Sequence, residues 1–318
     1  MTTEQSGVPG GLGRFAPSTT GRAHPGTFLA GLLCWLDARS RGAPVVLRLE
    51  DLDLERTKAG YVDDLRDDLA WFGLDWDHSQ RQSDATERHA DVLESLVAEG
   101  RVYACECSRA KIKATGRRAP DESYRYPGTC RSQRVTAGTW RDETRTLRLD
   151  LPETQINFRD ESGAVLVGDA AALYGDPILR RRDGAYAYHF ASVVDDADAG
   201  VGHVVRGRDL LPSTLLQVAL QRALAFPTPS YRHHSLLLER RGEKLSKLHG
   251  AVDARALRER YDAKTLCGML ANFVGLVPAQ TRCDPSELVS GFDWDRISSE
   301  DVVLAWSGDA GLCVVENP

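Results

Sequence analysis

Two short apolar runs separated by one helical repeat, within residues 13–53, limit what this chain can become more than any other feature. Gly13-Arg14-Phe15-Ala16-Pro17 is brief and stops at the turn cluster Pro17-Ser18-Thr19-Thr20-Gly21. Phe28, Leu29, Leu32, Leu33 and Leu36 then recur at helical spacing up to Gly42, and Val45-Val46-Leu47-Arg48-Leu49 is rich in β-formers. This pattern predicts a βαβ unit. Continuous apolar strands beside amphipathic helices imply a parallel sheet covered on both faces, an architecture whose ligands bind beyond the carboxyl ends of the strands. Chemistry is therefore expected at residues 16–27 and 50–53.

Further along, Val62, Leu65, Leu69 and Phe72 line one helical face and Val92, Leu93, Leu96 and Val97 another, ending at Gly73 and Gly100. Residues 101–150 break this rhythm with cysteines, basic residues, Gly and Pro, which predicts an inserted subdomain held by something other than a large apolar core. Alternating β signal is read at Ala185–Val194 and again at Gly202–Arg206. Pro212–Phe226, carrying Leu216, Leu220 and Leu224, reads as a helix, as do Ala254–Tyr261 and Lys264–Val274; an acidic tail without clear pattern runs from Cys283 to Pro318. The expected division is a flexible N-terminal tail (1–12), a first catalytic half (13–100), the insertion (101–150), a second catalytic half (151–247) and a helical C-terminal segment with its tail (248–318).

No apolar run approaches the ~20 residues that cross a bilayer, and residues 1–13 lack a basic segment followed by an apolar core, so a cytoplasmic protein without membrane partner is expected. Seven cysteines are an odd number, and Cys34, Cys267, Cys283 and Cys313 are scattered, which argues against a disulfide framework; Cys105, Cys107 and Cys130 cluster. Net charge is −6, yet residues 101–148 carry twelve Arg or Lys against five acids, a local +7, and the remainder carries −13. A basic island of this kind either meets a phosphate backbone or is an ordinary solvated face.

The loop 18–27 runs straight into a helix, so its backbone amides and the helix dipole form a natural phosphate site. Within it, His24 can donate to a phosphate oxygen, and Gly26 permits close approach. Far downstream, Gly242-Glu243-Lys244-Leu245-Ser246-Lys247 places two lysines around a serine in a polar loop. Either element alone is weak: most His-x-Gly loops are turns, and most lysine-rich loops are only solvated.

In combination they are more specific. Arg14-Phe15-Ala16-Pro17-Ser18, His24-Pro25-Gly26-Thr27, Arg48-Leu49-Glu50-Asp51 and Lys244-Leu245-Ser246-Lys247 resemble the signature set of class I glutamyl-tRNA synthetases. The pattern Cys105-x-Cys107 with Tyr126-x-Gly-x-Cys130 is closer to the glutamyl-queuosine tRNA(Asp) synthetases within that group. The resemblance covers about residues 13–275. It implies an α/β fold, a Rossmann-like parallel sheet with an inserted zinc-binding subdomain and a short helical C-terminal part. It also implies ATP-dependent activation of L-glutamate to glutamyl-adenylate and transfer of glutamate to the queuosine in the anticodon loop of tRNA(Asp).

By the same resemblance, Ser18, His24, Gly26, Thr27 and Lys247 would hold ATP with its Mg²⁺, and His24, Gly26, Lys244 and Lys247 would serve the reaction. Arg14, Ala16, Ser18, Glu50, Tyr188 and Arg206 would hold glutamate. That chemistry fits independently, because a diacid with one ammonium group asks for guanidinium forks at its carboxylates and a carboxylate at its amine. For Arg206 the plainer reading is a strand-end ion pair with Asp209, and Tyr188 beside His189 reads equally as core. Cys105, Cys107, Tyr126 and Cys130 would hold a structural Zn²⁺, with Tyr124 a rival fourth ligand and unmetallated buried cysteines the alternative. Two departures from the family pattern, Thr19 in place of a proline and Pro25 in place of an apolar residue after His24, alter loop stiffness without removing a side-chain donor.

Only 71 residues follow Lys247, with net charge −5 from residue 251 on, which favours the glutamyl-queuosine branch over full-length glutamyl-tRNA synthetases and leaves anticodon reading to the basic insertion. A monomer is expected. Three alternatives remain: a glutamate adenylate-forming ligase that acts on a small molecule or carrier protein, an inactive paralogue that binds nucleotide or tRNA, and a Rossmann-like domain whose motifs coincide by chance.

Overall fold

A computed structural model describes residues 11–53, 56–57, 59–239, 252–307 and 310–315. The chain divides into two compact units, one built from residues 81–202 and 210–230 and the other from 9–80, 203–209 and 231–318.

The expected opening unit is present. Strand β1 (Leu12–Phe15), helix α1 (Pro25–Ser40) and strand β2 (Val45–Leu49) form it, and β1 pairs with β2 in parallel, Arg14 opposite Val46. Helix α2 (Ala59–Phe72) leads to β3 (His78–Arg81). Gly73 follows α2 with φ +92°, a left-handed turn that glycine adopts without strain. The face of α1 that carries Phe28, Leu29, Leu32, Leu33 and Leu36 is fully buried, and Phe28 packs on Phe72 with ring centroids 4.8 Å apart. Ala38 shows why position 13 is glycine: a Cβ there would lie 2.6 Å from Ala38 Cβ, so β1 meets α1 without clearance.

The other unit begins with α3 (Thr86–Ala98) and continues through β4 (Val102–Cys105), α4 (Arg109–Thr115) and β5 (Thr146–Leu149). An antiparallel hairpin, β6 (Gln155–Arg159) with β7 (Val165–Asp169), precedes α5 (Ala170–Tyr174), β8 (Ile178–Arg180) and α6 (Tyr188–Asp198). Strands β4, β5 and β8 form one three-stranded sheet. Val102, Leu147, Leu149 and Leu179 on these strands are fully buried. Beside them, the buried carboxylate of Asp176 accepts from Tyr103 Oη at 2.5 Å, Arg131 at 2.7 and 2.8 Å and the Leu151 amide at 3.2 Å.

The β reading of Ala185–Val194 is corrected, since Tyr188–Asp198 is helical. Phe190, Val193 and Val194 are all buried, and their i, i+3, i+4 spacing matches a helical face that outweighs the local β-propensity of two valines.

The chain returns with β9 (Val201–Gly207), α7 (Thr214–Ala223) and β10 (Ser230–His234). The main sheet has the order β10-β9-β1-β2-β3. After β11 (Leu237–Glu239) come α8 (Ala254–Arg260), α9 (Ala263–Phe273) and α10 (Pro285–Leu288). The tail read as weakly patterned holds β12 (Val302–Ser307) and β13 (Gly311–Val314). These join β11 in a second three-stranded sheet, β11 and β12 parallel and β12 and β13 antiparallel. Val302-Val303-Leu304-Ala305-Trp306 is a β-rich run whose Leu304 reaches the main core.

Candidate active site and metal centre

Beyond the carboxyl ends of β1 and β2, the two expected loops are tied together. Ser18 and Glu50 form a parallel bridge; the Glu50 amide donates to Pro17 O at 3.0 Å, and the Thr19 amide and hydroxyl donate to Glu50 O at 3.2 and 3.0 Å. Thr19 is fully buried. A proline at 19 would lack the amide that donates to Glu50 O, so the threonine adds a tie where the family pattern has none.

His24 caps α1 in extended conformation, φ −130° and ψ 171°, with Pro25 as the first helical residue. Its main-chain oxygen accepts from the Thr27 and Phe28 amides at 2.8 and 3.2 Å, and its own amide donates to Thr27 Oγ1 at 3.3 Å. The imidazole lies over Gly26, where a Cβ would sit 3.0 Å from Cε1 and 3.1 Å from Nδ1. Glycine at 26 thus makes room for the histidine ring itself. Lys244 and Lys247 lie outside the described residues. At the start of α8, the Ala254 amide donates to Ala23 O at 2.7 Å, next to His24.

Arg14 on β1, Arg206 on β9 and Glu50 after β2 occupy three adjacent strands of one sheet. The arginines are 5% and 6% exposed, so their charges sit in a largely desolvated setting where a carboxylate is bound strongly. Glu50 Oε1 lies 3.9 Å from the guanidinium of the fully buried Arg48. Arg206 Nε donates to His233 Nε2 at 2.9 Å, and its guanidinium stands 4.9 Å over the Tyr231 ring. Arg206 is thus held from the neighbouring strand β10. Sequence reasoning missed His233; the only signal was an unusually polar, aromatic strand, Tyr231-Arg232-His233-His234. Ala16 is half-buried at the end of β1, Ser18 is exposed, and Tyr188 opens α6 in the other unit with its ring 5.0 Å from that of His189. Cys34 donates to Arg14 O at 2.8 Å, and burial pushes its thiol up to about 12, which makes it a protonated core residue.

The metal candidates converge. Sγ atoms of Cys105, Cys107 and Cys130 lie within 4.8 Å of one another, all buried, with Cys107 and Cys130 3.7 Å apart. Tetrahedral zinc with Zn–S bonds of ~2.3 Å separates its sulfurs by about 3.8 Å, so the thiols fit that ion. Tyr126 Oη lies beside them, 3.3 Å from Cys105 Sγ and accepting the Cys130 amide at 2.9 Å. Tyr124, the rival, instead carries the Arg118 guanidinium 4.4 Å over its ring. Burial and the neighbouring thiols raise both Tyr126 and Cys107. Cys130 is also raised by burial but ends below its ordinary value, because Tyr126 and the Glu106 amide bond its sulfur. A divalent cation offsets the cost of holding these donors deprotonated.

Residues 12–296 match the family described as tRNA synthetases class I (E and Q), catalytic domain. The chain belongs to that family. It is 40% identical over 308 residues to a Glutamyl-Q tRNA(Asp) synthetase of Symbiobacterium thermophilum, covering 91% of this chain and 94% of that protein. To the protein of the same name from Burkholderia cenocepacia it is 44% identical over 250 residues, 77% of this chain and 82% of the relative. A glutamate tRNA ligase from Elizabethkingia meningosepticum shares the fold, with TM-score 0.73 at 24% identity over 92% of this chain and 67% of that one. As a member of the family, the chain is a ligase of the aminoacyl-tRNA synthetase class. No helix among the described residues is long and apolar enough to cross a membrane.

Proposed function

We propose that the protein forms glutamyl-adenylate from ATP and L-glutamate and transfers the glutamyl group to the queuosine at the wobble position of tRNA(Asp). The observation that carries this reading is the bridged pair of loops, Ser18 to Glu50, with His24 at the start of α1, in a chain 38–44% identical to proteins named for that activity.

In the first step a glutamate carboxylate oxygen attacks the α-phosphorus and pyrophosphate leaves. Nucleophile and triphosphate are both anionic, so the site has to neutralise their repulsion and hold them in line. His24, Gly26 and Thr27 bind the phosphates from the helix start, Ser18 borders the same loop, and Lys244 and Lys247 stabilise the departing pyrophosphate. ATP arrives with Mg²⁺, which shields its charge. Arg14 and Arg206 hold the carboxylates of glutamate, Glu50 its ammonium group, and Ala16 and Tyr188 border the ligand. His233 keeps the Arg206 fork in position. In the second step a queuosine hydroxyl attacks the activated carbonyl, AMP leaves, and the hydroxyl proton passes to solvent.

Cys105, Cys107, Tyr126 and Cys130 hold a structural Zn²⁺, which fastens the loops of the insertion where apolar surface is scarce. The reading places the protein in the cytoplasm as a monomer, alongside its tRNA.

The test is glutamate-dependent ATP–pyrophosphate exchange without tRNA, followed by transfer to tRNA(Asp) with and without queuosine. Exchange in the absence of tRNA and transfer only to the modified tRNA is the expected result. No exchange with any amino acid sinks the reading in favour of a binding paralogue, and exchange without transfer to RNA points to a small-molecule or carrier-protein acceptor. Lys247→Ala should lower exchange at least a hundredfold and leave glutamate binding, measured by calorimetry, within about twofold; one lost contact to a developing charge is of that size. Equal loss of both removes Lys247 from its role.

A further inference from the structure

Beside the cysteine cluster, wholly within the unit formed by residues 81–202 and 210–230, lies a cavity of about 560 Å³, within the ~300–1,000 Å³ typical of small-ligand sites. Nothing in the reaction above uses it. Ile112, Tyr124, Tyr126, Tyr174 and Leu216 make its walls apolar and aromatic.

Set into that wall is Arg148, 6% exposed, its guanidinium 3.9 Å over the Tyr126 ring. NH1 donates to the main-chain oxygen of Asp176 at 2.7 Å, Nε has no hydrogen-bond partner, and the side chain enters no ion pair among the described residues. The Asp176 carboxylate also borders the cavity, but both of its oxygens are bound by Arg131 and one by Tyr103. A guanidinium buried this far without a counter-charge is costly, and an anion entering the cavity removes the cost. Arg109 and Lys113, two exposed cations on α4, stand at the same cavity and likewise form no ion pair among the described residues. Asp121, which accepts from the amide and hydroxyl of Ser123, is the one lining carboxylate that no cation engages among the described residues.

A planar ring, an anion and a hydrogen-bond donor are what this set accepts. We infer that the cavity receives one unstacked nucleotide of the RNA substrate, its base against the aromatic wall and Asp121 and its phosphate at Arg148, Arg109 and Lys113. The choice of an RNA nucleotide over a free one follows from the surroundings. Arg117, Arg118 and Arg125 continue the cationic surface, bonded to main-chain oxygens of Ala172 and Glu122 and not to carboxylates, and a single nucleotide has no charge for them. This inference rests on tRNA being the substrate.

The experiment is equilibrium binding of a fluorescent tRNA(Asp) anticodon stem-loop to the full chain, with two variants. Ala110→Trp, from an exposed position lining the cavity, fills it without touching the core, and Arg148→Met removes the buried charge at similar length. Each should weaken stem-loop binding about tenfold or more, as expected when one stacked base is lost, while glutamate-dependent exchange without tRNA stays at the wild-type rate. Arg148 also holds Asp176, so melting is recorded for both variants, and Ala110→Trp decides if Arg148→Met proves unfolded. Stem-loop binding by Ala110→Trp at wild-type affinity overturns the site and leaves the proposed reaction standing. Loss of exchange in the wild type overturns the reaction, and weakened RNA binding in Ala110→Trp would still support the site. Free AMP, GMP, CMP or UMP bound as tightly as the stem-loop overturns the RNA assignment in favour of a small-molecule site.

Discussion

Gly26 connects local sterics to rate. Alanine at this second helical position would gain up to ~1 kcal/mol of helix propensity, yet its Cβ would press on the His24 ring from 3.0 Å. Gly26→Ala should therefore leave the melting temperature unchanged or slightly raised and lower exchange at least tenfold, because a phosphate donor displaced by a few tenths of an ångström no longer meets the developing charge. Unchanged exchange with an intact fold would mean that the imidazole is not used. Arg206 invites a comparable test. Arg206→Lys keeps the charge but loses the fork that His233 orients at 2.9 Å, so KM for glutamate should rise about tenfold and KM for ATP should not. A parallel rise in both would assign Arg206 a general structural role. Arg14, Glu50 and Arg206 were singled out by the family resemblance and by residue types suited to a diacid, and the fold brings them to adjacent strands. Their support was not legible, since His233 and Tyr231 act through contacts made only once β9 and β10 pair.

The elements that read correctly are those whose apolar spacing and boundaries agree. Helix α1 has a buried stripe and a proline at its start, and α2 ends at a glycine with positive φ. Where local propensity and periodicity conflict, as in α6, the strand reading failed; β12 and β13 were missed because β12 finds its parallel partner β11 far upstream in sequence and β13 joins the sheet only through β12. Buried polar ties inside elements are just as hard to see. Asp37 on α1 is 4% exposed and bonds His203 Nδ1 and Arg41 at 2.7 Å and Trp294 Nε1 at 2.8 Å. Burial opposes its charge, but the bonds from His203 and Trp294 outweigh burial and leave the carboxyl below its ordinary value. A depressed folded pKa contributes stability that is fully present above the unfolded value of ~3.9 and is lost as pH falls through the lower folded one. Asp37→Ala should cost about 3 kcal/mol at neutral pH and flatten acid unfolding below pH ~4, which a urea series at several pH values would detect. A wild-type acid limb in the variant would exclude this carboxylate as a cause. For the insertion, Cys107→Ser should release zinc and lower its melting transition; unchanged metal content and melting would remove the metal centre from the account.

For the whole molecule, charge works against RNA on average and for it locally. Residues 101–148 carry +7 in a chain of −6, but the structure divides these cations into two groups. Arg101, Arg131, Arg134, Arg141 and Arg145 pair with carboxylates, respectively Glu99, Asp150 and Asp176, Asp150, Glu94 and Glu143, and are largely committed. Arg109, Lys113, Arg117, Arg118 and Arg125 enter no ion pair among the described residues and, beside the buried Arg148 of the cavity, are available to phosphates. Each phosphate contact to single-stranded or duplex RNA releases counterions with a slope of about −0.7 to −0.9 in log K against log salt, so these five predict a total near −4. Anisotropy titrations of tRNA(Asp) across a salt series would measure it. Lys113→Ala should make the slope shallower by about 0.8 while Arg134→Ala, whose partner is Asp150, should change it little. Exchange without tRNA should vary far less over the same range, since its anions sit among buried arginines that salt screens weakly. A slope near zero, or equal effects from the two substitutions, would mean that RNA is gripped elsewhere on the chain.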